Sequence, residues 1–580
     1  MSTLVTLRDL SYHTGSKTLF DNISFSIRAN ERVGLIGHNG SGKSTLFRLI
    51  NGRESFEQGE LALRRDLRLA TVEQFLPEEL LDNSVLEAAL APYEASDRSA
   101  RSYEAERRLE GLGFTGDEFG FVVRDLSGGQ QNRLMLARAL ANEPELILFD
   151  EPTNHLDLAS LAALEVFLSR ELDAAFIMVS HDRTFLDAVT EHTLILRDQR
   201  LYRFDLPCTE AREALTHQDE AERRTRKAEE SKIRSLEASA KRLATWGKNF
   251  DNEKFSRRAK NMSKRLDRLR ADVTFVSKGS GLNLEIETEG IRSRRMLSVD
   301  QLSIYPMVEH AGRSPLFSFD QLVVRPGERI ALLGANGAGK TTLIKHLVAR
   351  HRAHAHAEQA INFSPQTTLG YYDQELEELD LTRTILDYLI GCLDAAAVTI
   401  RNALVQAGFA YADHGRSLVS LSGGERARVL FVKLRLEAAN LLILDEPTNH
   451  VDIEGREQLE EQLLGSGATL LITSHDRRFI DRIANRFLLI ENQRLVETKA
   501  PDAFYDSLFT GSGTKNRAQE HKPSAAVNAD AGADQMLERL VALEQLLADD
   551  LARKPKHQKP KLQDTWRYEI TKLNEALEEQ

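Results

Sequence analysis

Two stretches of the 580-residue chain place glycine, lysine and hydroxyl residues at one spacing: GHNGSGKS from Gly37 to Ser44 and GANGAGKT from Gly334 to Thr341. Each follows an apolar run (RVGLIG, RIALLG) and precedes a helical pattern (STLFRLI, TTLIKHL). In that setting the glycines let backbone N–H groups converge on phosphate oxygens at a helix N-terminus, where the helix dipole favours negative charge. The first cradle is Gly37, His38, Asn39, Gly40, Ser41, Gly42, Lys43, Ser44 and Thr45. The second is Gly334, Ala335, Asn336, Gly337, Ala338, Gly339, Lys340, Thr341 and Thr342. Lys43 and Lys340 have the reach for β- and γ-phosphates, and the Ser44 and Thr341 hydroxyls suit Mg²⁺.

Further along, ELILFDEP and NLLILDEP end buried-strand patterns in an Asp-Glu pair, Asp150–Glu151 and Asp445–Glu446. A strand-end Asp is suited to hold Mg²⁺, directly or through water, and the next Glu to polarise an attacking water. AAFIMVSH and ATLLITSH end in His181 and His475, which in this order of motifs read as γ-phosphate sensors. Gln74 (TVEQF) and Gln374 (YYDQE) read as contacts to Mg²⁺ and the water. Alone, a glutamine or histidine there would mean nothing.

The motifs recur in register. Lys43 and Lys340 are 297 apart, Gln74 and Gln374 300, Ser127 and Ser422 295, Glu151 and Glu446 295, and His181 and His475 294. So nearly constant an offset marks a duplicated domain. Strands alternating with helices in each copy imply an α/β fold with a largely parallel sheet. Expected boundaries are 1–208 and 293–508 for the two copies, 209–292 for a helical linker, 509–532 for a polar flexible linker and 533–580 for a C-terminal coiled-coil hairpin. In that hairpin Met536, Leu540, Leu543 and Leu547, then Trp566, Ile570, Leu573 and Leu577, keep helical spacing on either side of KPKHQKPK.

Whole-chain composition excludes some classes. Apolar residues make up 41% and charged residues 28%, as in a globular protein. No apolar run approaches the length of a membrane span, and the start lacks the pattern of a secretory signal. Two distant cysteines, Cys208 and Cys392, supply no disulfide framework and fit a cytoplasmic location. The net charge of -12 does not itself suggest nucleic acid. The linker departs from it: Lys232 to Arg270 holds thirteen basic residues against Glu237, Asp251, Glu253 and Asp267, a net +9. Two long helices are expected there, broken around Thr245–Phe255, with Trp246, Phe250 and Phe255 at the tip for stacking on RNA or for packing the coiled coil itself.

Between glutamine and Asp-Glu pair each copy carries LSGGQ or LSGGE: Ser127, Gly128, Gly129 and Ser422, Gly423, Gly424. Phosphate loop, glutamine, LSGG, DEP and SHD in this order resemble the nucleotide-binding domain of ABC ATPases, and DEPTNH followed by Leu or Val and Asp resembles the ABC-F branch. The resemblance implies an ATPase using ATP and Mg²⁺, with Ser127–Gly129 closing over the ATP held by Lys340 and Ser422–Gly424 over that held by Lys43. It implies that Tyr12 sits at the adenine-stacking position; Tyr305 is displaced by a longer loop. It also implies ribosome binding (rRNA or tRNA) through the basic linker, without an obligatory permease. Some ABC-F members insert an arm in the first cassette. Here Gln74 to Leu126 spans 52 residues and Gln374 to Leu421 spans 47, leaving no room for one. The C-terminal hairpin resembles a nucleic-acid-binding tail or a packing coiled coil. Alternatives are the ATPase pair of a transporter with separate membrane subunits, or a DNA-associated ATPase acting through that hairpin.

Overall fold

The computed structural model describes residues 2–15, 17–73, 76–154, 156–249, 294–306, 314–353, 360–373, 379–449, 451–501 and 505. Gln74, Gln374, Phe250, Phe255 and the expected C-terminal hairpin lie outside them.

Parallel pairing in each copy is dictated by short, continuously apolar strands that must be buried on both faces. In the first copy the order is Leu69–Val72, Leu146–Asp150, Ala175–Val179, Arg32–Gly37, His192–Arg197 and Arg200–Phe204. All neighbours are parallel except the last pair. Phe149 and Phe176 are fully buried on adjacent strands with rings edge to face at 5.8 Å. They fix the register that brings the C-terminal ends of three strands, Arg32–Gly37, Leu146–Asp150 and Ala175–Val179, to one rim. An antiparallel three-stranded sheet (Lys17–Arg28, Thr3–Thr14, Gln58–Leu63) packs beside them.

The second copy repeats the plan with one difference. Its antiparallel strands Leu297–Ile304, Phe317–Val324 and Ile361–Phe363 join the parallel core through the pairing of Ser318 with Arg494, giving nine continuous strands. In the first copy the two sheets are separate, and among the described residues Asp21 N–H donates to Gln199 at 2.8 Å between them.

Cys208–Asn249 forms one unbroken helix of 42 residues, about 63 Å long. It begins just after Pro207, has no interior Pro, and carries polar pairs four apart, such as Gln218 with Glu222 at 3.0 Å. Its foot is apolar: Cys208, Ala211 and Leu215 are buried in the first copy's core. Among the described residues no helix is long and apolar enough to cross a membrane. Both copies and this helix belong to one compact unit, Met1–Gly513.

Candidate functional site

Each phosphate loop turns through a left-handed glycine at the N-cap of its helix, Gly42 (φ 104°) before Lys43–Ile50 and Gly339 (φ 102°) before Lys340–Arg352. A Cβ on Gly42 would lie 2.8 Å from the Phe20 ring, so backbone angle and space both require glycine there. Lys43 Nζ donates to the Gly37 and His38 carbonyls at 2.8 and 3.3 Å, and Lys340 Nζ to Gly334 and Ala335 at 2.7 and 3.1 Å. Burial lowers the pKa of both lysines. Glu151, Asp452 and Asp150 oppose that at Lys43, and Glu446, Asp445 and Asp157 at Lys340. One acid in each set comes from the opposite copy.

The same exchange appears in hydrogen bonds. Asp452 Oδ2 accepts the Asn39 backbone N–H at 3.0 Å while its Oδ1 caps Gly455 at 2.9 Å. Asp157 caps Ser160 at 2.8 Å and accepts from the Asn336 backbone. Burial would raise the Asp157 pKa, but these two backbone donors and Ser160's side chain outweigh it, and the result is lowered. Both phosphate loops are therefore completed across the interface.

The Asp150 carboxylate is hydrogen-bonded to Ser44 and the Asp445 carboxylate to Thr341. Burial pushes both acids above their usual range. Asp445 also accepts from Thr473, while its Oδ2 is buried with no hydrogen-bond partner. A buried orphan carboxylate oxygen beside a phosphate-loop hydroxyl fits a cation that takes the rest of its shell from phosphate and water, as Mg²⁺ does. Among the described residues no group of three His, Cys, Asp or Glu side chains could hold a metal ion by itself.

Glu151 and Glu446 sit at φ 52° and 49°, left-handed angles that non-glycine residues rarely adopt. Backbone bonds hold the turns, Glu151 N–H to Val179 at 3.0 Å and Glu446 N–H to Thr473 at 3.1 Å. The turn aims each carboxylate at the next strand's histidine. His181 Nε2 lies 3.1 Å from Glu151 Oε1, and His475 Nε2 lies 3.3 Å from Glu446 Oε1. Burial first, and Asp150 next among the raising causes, push the Glu151 carboxyl up to about 7 against the pull of Lys43. Hydroxyl pairs brace the turns below: Thr153 with Ser180 at 2.8 Å and Thr448 with Ser474 at 2.9 Å.

A cavity of about 320 Å³ surrounds Lys340, Thr341, Asp445, Glu446 and His475, with a far wall of Thr153, Asn154, Leu156, Leu161 and Asp182 from the first copy. Among the described residues, Ser127–Gly129 do not line it. Ser127 and Ser422 instead cap their helices in closed capping boxes with Gln130 and Glu425. Tyr12 is half-buried beside Phe20, its hydroxyl donating to Glu54 at 2.9 Å. Sequence reasoning missed Asp157, Asp452, Arg456 and the Thr–Ser braces. Arg456 is buried and donates to Asp476 at 2.9 Å, whereas its repeat position in the first copy is Leu161.

Two phosphate loops, each with an Asp-Glu strand end, a facing histidine and a carboxylate from the opposite copy, define an ATPase built from paired ATP-binding cassettes. Residues 20–154 and 320–449 each match the ABC transporter family. The chain is 31% identical over 533 residues to the putative ATP-binding protein YdiF of Bacillus subtilis, across 85% of this chain and 81% of that one. It is 32% identical over 513 residues to the ribosome protection protein VmlR of Bacillus subtilis, across 85% and 87%. In fold it resembles the archaeal ribosome recycling factor aABCE1, solved with the ribosomal stalk protein aP1, at TM-score 0.57 and 17% identity over 86% of this chain and 92% of that one. The chain belongs to the ABC-F family of tandem ATP-binding cassette proteins.

Proposed function

We propose that the chain is a ribosome-binding ATPase whose two cassettes close on two Mg²⁺·ATP and thereby move the basic linker against rRNA or tRNA. The observation that carries this reading is the exchange of Asp157 and Asp452 between the phosphate loops, because nucleotide at either loop then meets groups from both cassettes. Closure brings Ser127–Gly129 over the ATP at Lys340 and Ser422–Gly424 over the ATP at Lys43, presenting helix N-termini to the γ-phosphate.

Mg²⁺, held by Ser44 with Asp150 and by Thr341 with Asp445, neutralises phosphate charge when bound. Gln74 and Gln374, which lie outside the described residues, would supply further oxygen ligands to it. Glu151 and Glu446 orient the attacking water and accept its proton, and His181 and His475 position those carboxylates while sensing the γ-phosphate. Tyr12 stacks on adenine.

The name of the relative VmlR supports the ribosome as the target. So does the linker's net +9 within a chain of -12, which suits a phosphate backbone. The reading places the protein in the cytoplasm without a permease, and gives KPKHQKPK of the C-terminal hairpin a second nucleic-acid contact.

Replacing Glu151 and Glu446 together by Gln keeps shape and removes the base. ATP should then bind and close the cassettes without hydrolysis, and the closed form should accumulate on the partner it prefers. The double variant should co-sediment with ribosomes in ATP and slow growth. Sedimentation with membranes or DNA, or none at all, overturns the ribosome reading.

A further inference from the structure

The two nucleotide sites differ in what else they touch. The linker helix starts beside the first phosphate loop, and three residues after Thr209 one side chain reaches across to the second cassette: Arg212 grips Glu457 with both nitrogens, Nη2 to Oε2 at 2.6 Å and Nη1 to Oε1. Glu457 lies on the helix Ile453–Gly465, whose N-cap is Asp452, the residue that accepts the Asn39 N–H of the first phosphate loop. Ile453, next to the cap, is packed into the first cassette's core. A small cavity is lined at once by Gly37 and His38 of that loop, Leu215 and Thr216 of the linker helix, and Asp452 and Glu454. One rigid helix of the second cassette thus has its tip on the first phosphate loop and its second turn on the linker.

Three further contacts secure the foot. Arg183, 1% exposed, donates to Glu457 at 2.9 Å and also pairs with the fully buried Glu460. Arg478 donates to Thr209 Oγ1 at 3.1 Å. At the second site the corresponding positions differ. Glu457 is matched by Ala162, and Arg477, the counterpart of Arg183, approaches Glu165 only to 3.9 Å.

We propose that Arg212 and Glu457 are positioning residues that tie the linker helix to the first nucleotide site, so that the linker follows ATP at Lys43 more closely than ATP at Lys340, whose cavity the same helix meets only through Arg456. The logic is geometric. ATP entering the first loop displaces or tightens the Asp452–Asn39 contact, the capped helix moves as a unit, and a bidentate arginine–carboxylate pair transmits both direction and distance. The second loop contacts Asp157, whose helix carries no carboxylate toward the linker at the Ala162 position.

The full-length protein supplies its own labels. Cys392 is exposed, while Cys208 is buried with its thiol pushed up to about 12, so a dye directed at thiolates passes it by. Thr225→Cys adds one exposed thiol on the linker helix. Energy transfer between positions 225 and 392 is read on adding ATP and Mg²⁺, without ribosomes, so the result does not depend on the identity of the partner. With Lys340→Ala, which leaves only the first site able to bind, ATP should change the transfer; with Lys43→Ala the change should be much smaller. Adding Arg212→Ala to the Lys340→Ala protein should abolish the change while ATP still binds, and Arg212→Lys, which cannot span both carboxylate oxygens, should restore only part of it. An equal change from either site, or a full change surviving Arg212→Ala, overturns the proposal.

Discussion

The Asp452 carboxylate accepts the Asn39 backbone N–H at 3.0 Å across 413 positions of sequence. Each of its oxygens has a separate duty, one at the partner cassette's phosphate loop and one capping its own helix at Gly455. Asp452→Ser keeps a cap and removes the reach. It should weaken ATP binding at the first site about tenfold, the worth of a charge-assisted hydrogen bond. Combined with Lys43→Ala it should add little, because both changes damage one site, whereas combined with Lys340→Ala the effects should multiply. Site-resolved binding of a fluorescent ATP analogue checks this, and multiplication in both pairs would refute a shared first site.

Asp182 caps Phe185 at 2.9 Å and faces Asp476 across the interface. Burial first and the Asp476 charge second push its carboxyl up to about 6, with Arg456 and Arg477 pulling the other way. An acid with a raised folded pKa holds its proton more tightly when folded, so stability falls as pH rises from about 4 to about 6 and stays lower above that. The loss is at most about 3 kcal/mol. Asp182→Asn keeps the cap and removes the charge. It should stabilise the protein by about 1–3 kcal/mol at pH 8 and not at pH 4. Urea midpoints at the two pH values decide it, and equal differences at both would remove Asp182 from the account.

Glu460 is fully buried between Arg183 and Arg482, one from each cassette. Removing one partner of a buried pair leaves charge without compensation and costs about 3–5 kcal/mol. Because Arg482 stays with Glu460, Arg183→Met should show part of that loss in denaturant unfolding. Arg183→Met with Glu460→Leu should recover most of it, because an apolar pair of similar volume is nearly neutral there. No recovery would mean that packing, and not charge, sets the cost.

The grouping of the candidate residues was legible where the motifs demand one residue type at one spacing, and the repeat multiplied the signal. Lys43, Asp150, Glu151 and His181 follow from that, as do their counterparts. Asp157 and Asp452 close each repeated stretch, yet their partners lie in the other cassette, and local spacing carries no trace of them. The left-handed turns at Glu151 and Glu446 are invisible because glycine, the residue that signals such angles, is absent there. The asymmetry was written in the sequence as differences between the copies, Arg456 against Leu161 and Glu457 against Ala162, and a reading that searches for likeness passes over them. The nine-stranded sheet of the second cassette rests on one pairing, Ser318 with Arg494, which no periodicity encodes.

The linker's positive charge makes the last prediction. Arg257, Arg258 and Lys260 lie just beyond the expected break between its two helices, in a stretch where basic residues outnumber acidic thirteen to four. If they contact phosphates, each contact releases condensed counterions, and affinity then falls with salt by about 0.7–0.9 in slope per contact on logarithmic axes. Replacing all three by Glu should lower ribosome affinity and flatten that slope by about 2–3. ATP hydrolysis without ribosomes should be unchanged, because none of the three belongs to a cassette. A substitution that weakened binding through general repulsion alone would shift the line and leave three contacts' worth of slope in place. Affinity measured by filtration at four or more salt concentrations separates the two, and an unchanged affinity and slope would make the basic stretch a solvated face.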